Sequence, residues 1–360
     1  MSGGDLLART AELVAVPSVS REEGALSALV FSELRAHPWL EVERVGDNVV
    51  ARTHLRRAQR LVVAGHVDTV PPAGNERPRV GDSAVWGVGA CDMKGGLAVM
   101  LDLAASLREP AVDVTWCFYV CEEVAREENG LVRLWADRPD LLASDAAVLC
   151  EPTDAKVEAG CQGTLRAVVH VGGVRAHSAR PSTGCNAIHR VAPVLERLAS
   201  WEGRTVEIDG CVFAEQLQAV GIAGGVAANV VPDHVALTVN HRYAPDRGSA
   251  AARQVLSDLL EDLLDARLGD RLEVVAEADG AAPALGHPLL ASIVERSGHA
   301  PQGKAGWTDV ATMWAHGVPA MNFGPGDPLL AHHPDEHVTL DSLERARAVL
   351  ADVLTGAVRV

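Results

Sequence analysis

Four apolar runs in this chain end in groups that resist burial. "RLVVAGHVD" closes on His66 and Asp68, "DVTWCFYVCEE" on Glu122 and Glu123, "AAVLCEP" on Glu151, and "AVWGVGACDM" on Asp92. The runs are short and rich in β-branched and aromatic residues, which reads as strand. Helical patterns such as "LAVMLDLAASL" and "ENGLVRLWADRP" stand between them. Strands alternating with helices predict an α/β domain with a mostly parallel sheet. In such sheets chemistry gathers beyond the carboxyl ends of the strands. The charged groups therefore converge, and something must compensate for taking them out of water.

The pattern changes after about residue 162. "TLRAVVHVGG" reads as strand, "NAIHRVAPVLERLASW" as helix, and "LQAVGIAGG" and "VVPDHVALTVNHR" as strands. The amphipathic "SAAARQVLSDLLEDLLDARL" and the strand-like "RLEVVAEAD" follow. That order is β-α-β-β-α-β, the ferredoxin-like unit. From about residue 281 the α/β pattern resumes. The expected organisation is an α/β domain over 1–161 and 281–360, with an inserted α+β domain over 162–280.

Composition narrows the function classes. The 360 residues carry a net charge of −16, which gives no electrostatic grip on nucleic acid or anionic lipid. No apolar run reaches membrane-spanning length, and the N-terminal stretch lacks the basic and apolar regions of a signal peptide. Seven cysteines, with no C-x-x-C pair and several in apolar runs, point to free thiols in a reducing cytoplasm. "GVGACD" lacks the third glycine of a dinucleotide fingerprint, and "MKGG" lacks the K-[ST] ending of a phosphate-binding loop. Ser178 and Ser182 lie in no G-x-S-x-G elbow. Cys121 and Cys150 read as buried packing, His337 as solvent-facing, and Trp307 and Asp309 as candidates to line a pocket.

A cation is the compensation that accounts for all four strand ends at once. Alternate residues on a strand face the same side, so Asp68 can reach the His66 imidazole and orient it, as carboxylates do behind metal-bound histidines. Adjacent carboxylates such as Glu122 and Glu123 repel unless a cation separates their roles. "AHHPDEH" adds His332 and His333 near the C-terminus. Imidazoles mixed with carboxylates, without thiolate, suit Zn²⁺, with Co²⁺ or Mn²⁺ as substitutes. Five candidate ligands exceed one tetrahedral zinc with an open position, so two metals sharing a carboxylate fit the count better.

These motifs, together with "AHSARPSTGCNAI", "NVVP" with "NHR", and "GPGDPLLAHHPDE", resemble the aminoacylase/carboxypeptidase family of dizinc hydrolases, in order and over nearly the full chain. The resemblance implies an aminopeptidase-like catalytic domain and an inserted domain that serves as lid and homodimer contact. It implies that His66 and Glu151 hold one zinc, Glu123 and His332 the other, and Asp92 bridges both. His333 is then a neighbour, Asp68 the orienting carboxylate, and Glu122 the general base for amide hydrolysis. His177 would help stabilise the oxyanion across the dimer, and Asn229 and Arg242 would bind a substrate carboxylate. The implied substrate is a small N-acylated amino acid. A small-dipeptide carboxypeptidase needs the same ligands, and a relative that only binds acylated amino acids has no use for Glu122.

Overall fold

The structure, a computed structural model, describes residues 3–356. The chain divides into two compact units. One runs to Gly160 and takes up Pro283–Gln302 and the chain from Asp309 onward; the other comprises Cys161–Ala282 and Gly303–Thr308.

The first unit is built on a mixed eight-stranded sheet in the order Glu41–Val45, Asn48–Arg52, Asp113–Tyr119, Arg60–His66, Ala146–Leu149, Ala320–Asn322, Glu158–Ala159 and Gln302–Gly303. The four strands Asp113–Tyr119, Arg60–His66, Ala146–Leu149 and Ala320–Asn322 are mutually parallel, and the flanking pairs are antiparallel. Every residue of Asp113–Tyr119 is buried, as expected of a central parallel strand covered on both faces. Helix Gly95–Ser106 is buried from Gly95 to Ala104 and apolar there apart from Asp102, which pairs with Arg347; it packs on the strands Arg60–His66 and Asp113–Tyr119. Helices Gly3–Val14 and Leu340–Thr355 pack against it.

One expected strand differs. "AVWGVGAC" yields only the three-residue strand Ala84–Trp86, which pairs with Arg79–Val80 and His337–Thr339 in a separate small sheet. Gly87 and Gly89, at φ 152° and 77°, turn the chain out of extended structure before Asp92. Asp92 therefore projects from the irregular turn Ala90–Lys94 rather than from the end of a central strand.

The second unit holds a four-stranded antiparallel sheet ordered Gln216–Gly224, His234–Tyr243, Gly163–Gly172, Arg271–Ala278. With helices after the first and third strands in chain order, this is the ferredoxin-like arrangement. Burial alternates strictly along His234–Tyr243, so one face is core and the other is open. The core face, from Leu165 to Leu237 and Val239, packs with Val194, Leu198, Leu256 and Leu260 of helices Ala192–Ala199 and Ser249–Leu260. A hairpin of Thr205–Ile208 and Cys211–Ala214 is an addition to the expected elements. Gly303–Thr308 belongs here because Lys304 O accepts the Gln162 N–H at 3.1 Å and Trp307 Nε1 donates to Asp279 O at 3.0 Å.

Candidate metal centre

Three parallel strands deliver their carboxyl ends to one edge of the sheet. His66 ends the first of them, Glu122 and Glu123 follow Tyr119 by three and four residues, and Glu151 follows Leu149 by two. Parallel pairing of Arg60–His66 with both neighbours puts these ends side by side. Asp92 arrives from its glycine-shaped turn and His332 from a left-handed residue at φ 63°.

The side chains meet closely. His66 Nε2 stands 3.1 Å from Asp92 Oδ1, and His332 Nε2 stands 3.6 Å from Asp92 Oδ2 and 2.8 Å from Glu123 Oε1. His66, Asp92 and Glu151 offer ligand atoms all within 4.8 Å of one another, as do Asp92, Glu123 and His332. The two triads share Asp92, which presents one oxygen to each imidazole. His66, Glu122 and Glu123 form a third such group, so Glu122 lies at the same centre.

Hydrogen bonds fix this geometry from below. Asp68 is fully buried; its Oδ1 accepts the Glu122 N–H and its Oδ2 the Glu123 N–H, each at 3.0 Å. Oδ2 also accepts the Ser20 hydroxyl at 2.8 Å. The shortest contact of His66 Nδ1 is the Asp68 carbonyl oxygen at 3.0 Å, with Oδ1 at 3.5 Å. Asp68 thus holds the imidazole and the backbone of both glutamates at once. Cys121, just before them, takes a left-handed φ of 59°, a conformation costing about 1–3 kcal/mol in a non-glycine residue. Buried Glu23 holds it there, accepting the Cys121 N–H at 3.0 Å and the thiol at 3.2 Å. Gly324 is needed for a close approach: a Cβ would fall 2.3 Å from Cys150 O and 2.6 Å from Glu151 O.

Sequence reasoning missed two residues. Glu336, 1% exposed, accepts backbone N–H groups from Gly89, Cys91 and Asp92 at 3.0, 3.0 and 2.9 Å, clamping the turn that carries Asp92. Its signal was the unexplained acid in "HHPDEH", three residues past a histidine. Asn129 is the other. It caps helix Gly130–Asp137 and donates to buried Asp309 Oδ2 at 2.7 Å, while Thr312 donates to Oδ1 at 2.6 Å. Asp309 is thus a wholly buried brace, near enough to Glu122 for its charge to help raise that carboxyl; Trp307 lies in the second unit. His333 stays exposed with its Nδ1 accepting the Asp335 N–H, and His337 is half-buried, one side of its ring against Trp86.

Electrostatics mark the cluster as strained by its own charge. Burial, then Glu151 beside it, pushes the Glu122 carboxyl well above the usual carboxylate range. Burial opposes a proton on His66, yet Asp68 and Asp92 outweigh it and raise its pKa well above 6.5. The hydrogen bond to Glu123 raises His332 to about 9. Burial opposes the Asp68 charge, but its bonds to His66 and the two N–H groups hold it at about 2. Burial raises Glu336 to about 7 despite three donors.

Three carboxylates and two imidazoles, without thiolate, are donors that divalent cations of the zinc type accept. A cation among them would offset the repulsion that raises Glu122. The chemistry and spacing therefore fit a metal centre.

The other candidate residues lie in the second unit. His177 pairs with Val230 and is exposed, its Nδ1 accepting the Ala179 N–H at 3.1 Å. Asn229 is also exposed, and its carbonyl accepts the Ser178 N–H at 2.9 Å, so His177 and Asn229 share one neighbourhood. Arg242 is half-buried on strand His234–Tyr243, opposite Thr164 and Gln216.

Comparison with known proteins places the chain. Residues 62–356 match the family described as peptidase family M20/M25/M40. A Mycobacterium tuberculosis protein, named provisionally as a succinyl-diaminopimelate desuccinylase, is 48% identical over 98% of this chain and 99% of its own. The succinyl-diaminopimelate desuccinylase of Corynebacterium glutamicum is 41% identical over 98% of this chain and 96% of its own. Among solved structures, a tripeptidase from Staphylococcus aureus has the same fold, with a TM-score of 0.84 at 21% identity, covering 99% of this chain and 98% of the other.

Proposed function

The chain belongs to peptidase family M20/M25/M40, and from that membership we propose that it hydrolyses N-succinyl-LL-2,6-diaminopimelate to succinate and LL-2,6-diaminopimelate. The family is metal-dependent, and the enzyme is a hydrolase of linear amides. The observation that carries the reading is the pair of triads sharing Asp92, on a chain 41% identical to a desuccinylase along nearly its whole length.

Two zinc ions per subunit are our assignment, with cobalt or manganese as substitutes. His66 and Glu151 would hold one, Glu123 and His332 the other, and Asp92 would bridge them. When bound, such ions lower the pKa of water from about 15.7 to about 7 and draw charge from the amide carbonyl.

The protein's own groups do the rest. Glu122, placed by the Asp68 bond to its N–H, takes the proton of the attacking water and returns it to the leaving amine. Asp68 keeps the His66 Nε2 lone pair aimed at the centre. His177 is assigned to the oxyanion from the partner subunit of a homodimer, and Asn229 and Arg242 to a substrate carboxylate, for which Arg offers a two-pronged fork.

The first unit is accordingly the catalytic domain, and the second is lid and dimer contact. The edge strand Gln216–Gly224 supports this, since it leaves Val220 and Ile222 exposed. Among the described residues no helix is long and apolar enough to cross a membrane, and the cysteines are free thiols, in keeping with the reducing cytoplasm.

The test is succinate release from the zinc-loaded enzyme, with acetylornithine assayed in parallel. Turnover of acetylornithine alone would replace the substrate assignment. Glu122→Gln should bind zinc normally and lose about 10²- to 10⁴-fold in kcat; a variant that keeps turnover removes Glu122 as the base.

A further inference from the structure

Arg242 has a second arginine, Arg166, beside it on the sheet of the second unit. On the antiparallel pair Gly163–Gly172 and His234–Tyr243, Thr164 stands opposite Arg242 and Arg166 opposite Asn240. Opposed residues and their i+2 neighbours share a face. Arg166 and Arg242 are therefore diagonal neighbours on the open face, while Leu165, His241 and Tyr243 point into the core. Around them on that face the register places Thr164, Gln216, Gln218, Thr238 and Asn240. The nearest acidic position on that face is Glu273, opposite Val168, and its carboxylate is engaged by His170 at 2.9 Å and Arg271 at 3.5 Å.

Two arginines thus stand together with no carboxylate paired to either among the described residues. Burial lowers the Arg242 pKa, and the Arg166 charge lowers it further. Cations held side by side without a counter-charge, amid uncharged hydrogen-bonding groups, form a platform for anions.

We propose that Arg166 and Arg242 together bind the two carboxylates of the diaminopimelate moiety, Arg166 taking the distal one, so that the pair selects diamino-dicarboxylates over monocarboxylate amines. The proposal rests on the desuccinylase reading for its substrate. The dimensions agree. Diagonal cross-strand positions lie about 7–8 Å apart. The two carboxyl carbons of 2,6-diaminopimelate are joined through six carbon–carbon bonds of about 1.5 Å, a span of roughly 7–8 Å when extended. Ornithine and lysine carry no carboxylate on the far carbon, whereas the succinyl carboxylate is common to every N-succinylated substrate, so the far carboxylate is the one group by which the pair can tell diaminopimelate apart.

The experiment compares kcat/KM of the zinc-loaded enzyme for N-succinyl-LL-2,6-diaminopimelate and N-succinyl-L-lysine, which differ only in the distal carboxylate. Arg166→Gln should lower the ratio of the two values about 10- to 100-fold, the worth of a charge-assisted contact, mainly through KM. Arg242→Gln should lower both values and leave the ratio closer to wild type. An unchanged ratio in Arg166→Gln overturns the proposal, since a guanidinium serving both substrates alike cannot read the distal group. If the wild-type enzyme hydrolyses neither compound, the desuccinylase reading fails, and calorimetric binding of LL-2,6-diaminopimelate against lysine decides this proposal separately. A wild-type preference for diaminopimelate that Arg166→Gln abolishes supports it; no preference, or one that survives the substitution, overturns it.

Discussion

Replacing Glu336 by Ala removes one acceptor from three backbone donors at once. The Gly89, Cys91 and Asp92 N–H groups all lie within 3.0 Å of its carboxylate, and the site is 1% exposed. A hydrogen bond to a charged group contributes about 1.5–3 kcal/mol, and a buried donor left unmet costs about 1–3 kcal/mol. Three such donors give an upper range near 9 kcal/mol, but two terms reduce it. The bonds share one carboxylate and are not independent, and burial already raises the Glu336 carboxyl to about 7, so its charge is held at a cost. A loss of roughly 3–5 kcal/mol, spent mostly in loosening the Asp92 turn, is the expected size. Glu336→Gln keeps the volume and one oxygen, which can serve Cys91 and Asp92, but turns an amide N–H₂ toward the Gly89 N–H. Roughly 2 kcal/mol is expected there. Because Asp92 is the residue shared by both triads, zinc affinity should fall about 10- to 100-fold in either variant. Competition with a chromogenic chelator measures the affinity, and thermal unfolding in EDTA measures the metal-free stability. Zinc affinity within twofold of wild type, with an unchanged metal-free Tm, would refute the clamp.

Asp68→Asn turns an N–H₂ toward the Glu122 N–H, the Glu123 N–H or the Ser20 hydroxyl; kcat should fall about 10- to 100-fold with the protein still folded by circular dichroism. His241, fully buried, is pushed by desolvation from 6.5 to about 4. Its folded pKa lies below the unfolded value, so the unfolded chain takes up the proton first and stability falls as pH drops from 6.5 toward 4. Between pH 7 and pH 5 the loss should be roughly 2 kcal/mol and shrink in His241→Phe, as read by urea unfolding at the two pH values. Gly96→Ala puts a Cβ 2.5 Å from Cys150 O, behind Glu151, and should cost about 1–3 kcal/mol in thermal stability. Chelation should abolish turnover, and zinc or cobalt added back should restore it; activity that persists in a metal-free preparation would rule out the metal centre.

The alternation of apolar strands and helices, and which strand ends in which charged group, could be read from the sequence because both are local. A buried parallel strand such as Asp113–Tyr119 is a continuous apolar run, and an acid just beyond it stands out. The alternating strand His234–Tyr243 announced its open face the same way. What lies between distant segments has no such signature. Asp92 reaches His66 because Gly87 and Gly89 turn the chain and Glu336, more than 240 residues on, holds the turn. The bonds that tie Asp309 to Asn129, 180 residues away, and to Thr312 likewise have no signature in the sequence. The meeting of Arg166 with Arg242 depends on strand register, which sequence spacing does not specify. Local pattern decides what each segment becomes; the approach of oxygen to imidazole within about 3 Å is decided by packing and backbone hydrogen bonds that only the assembled fold supplies.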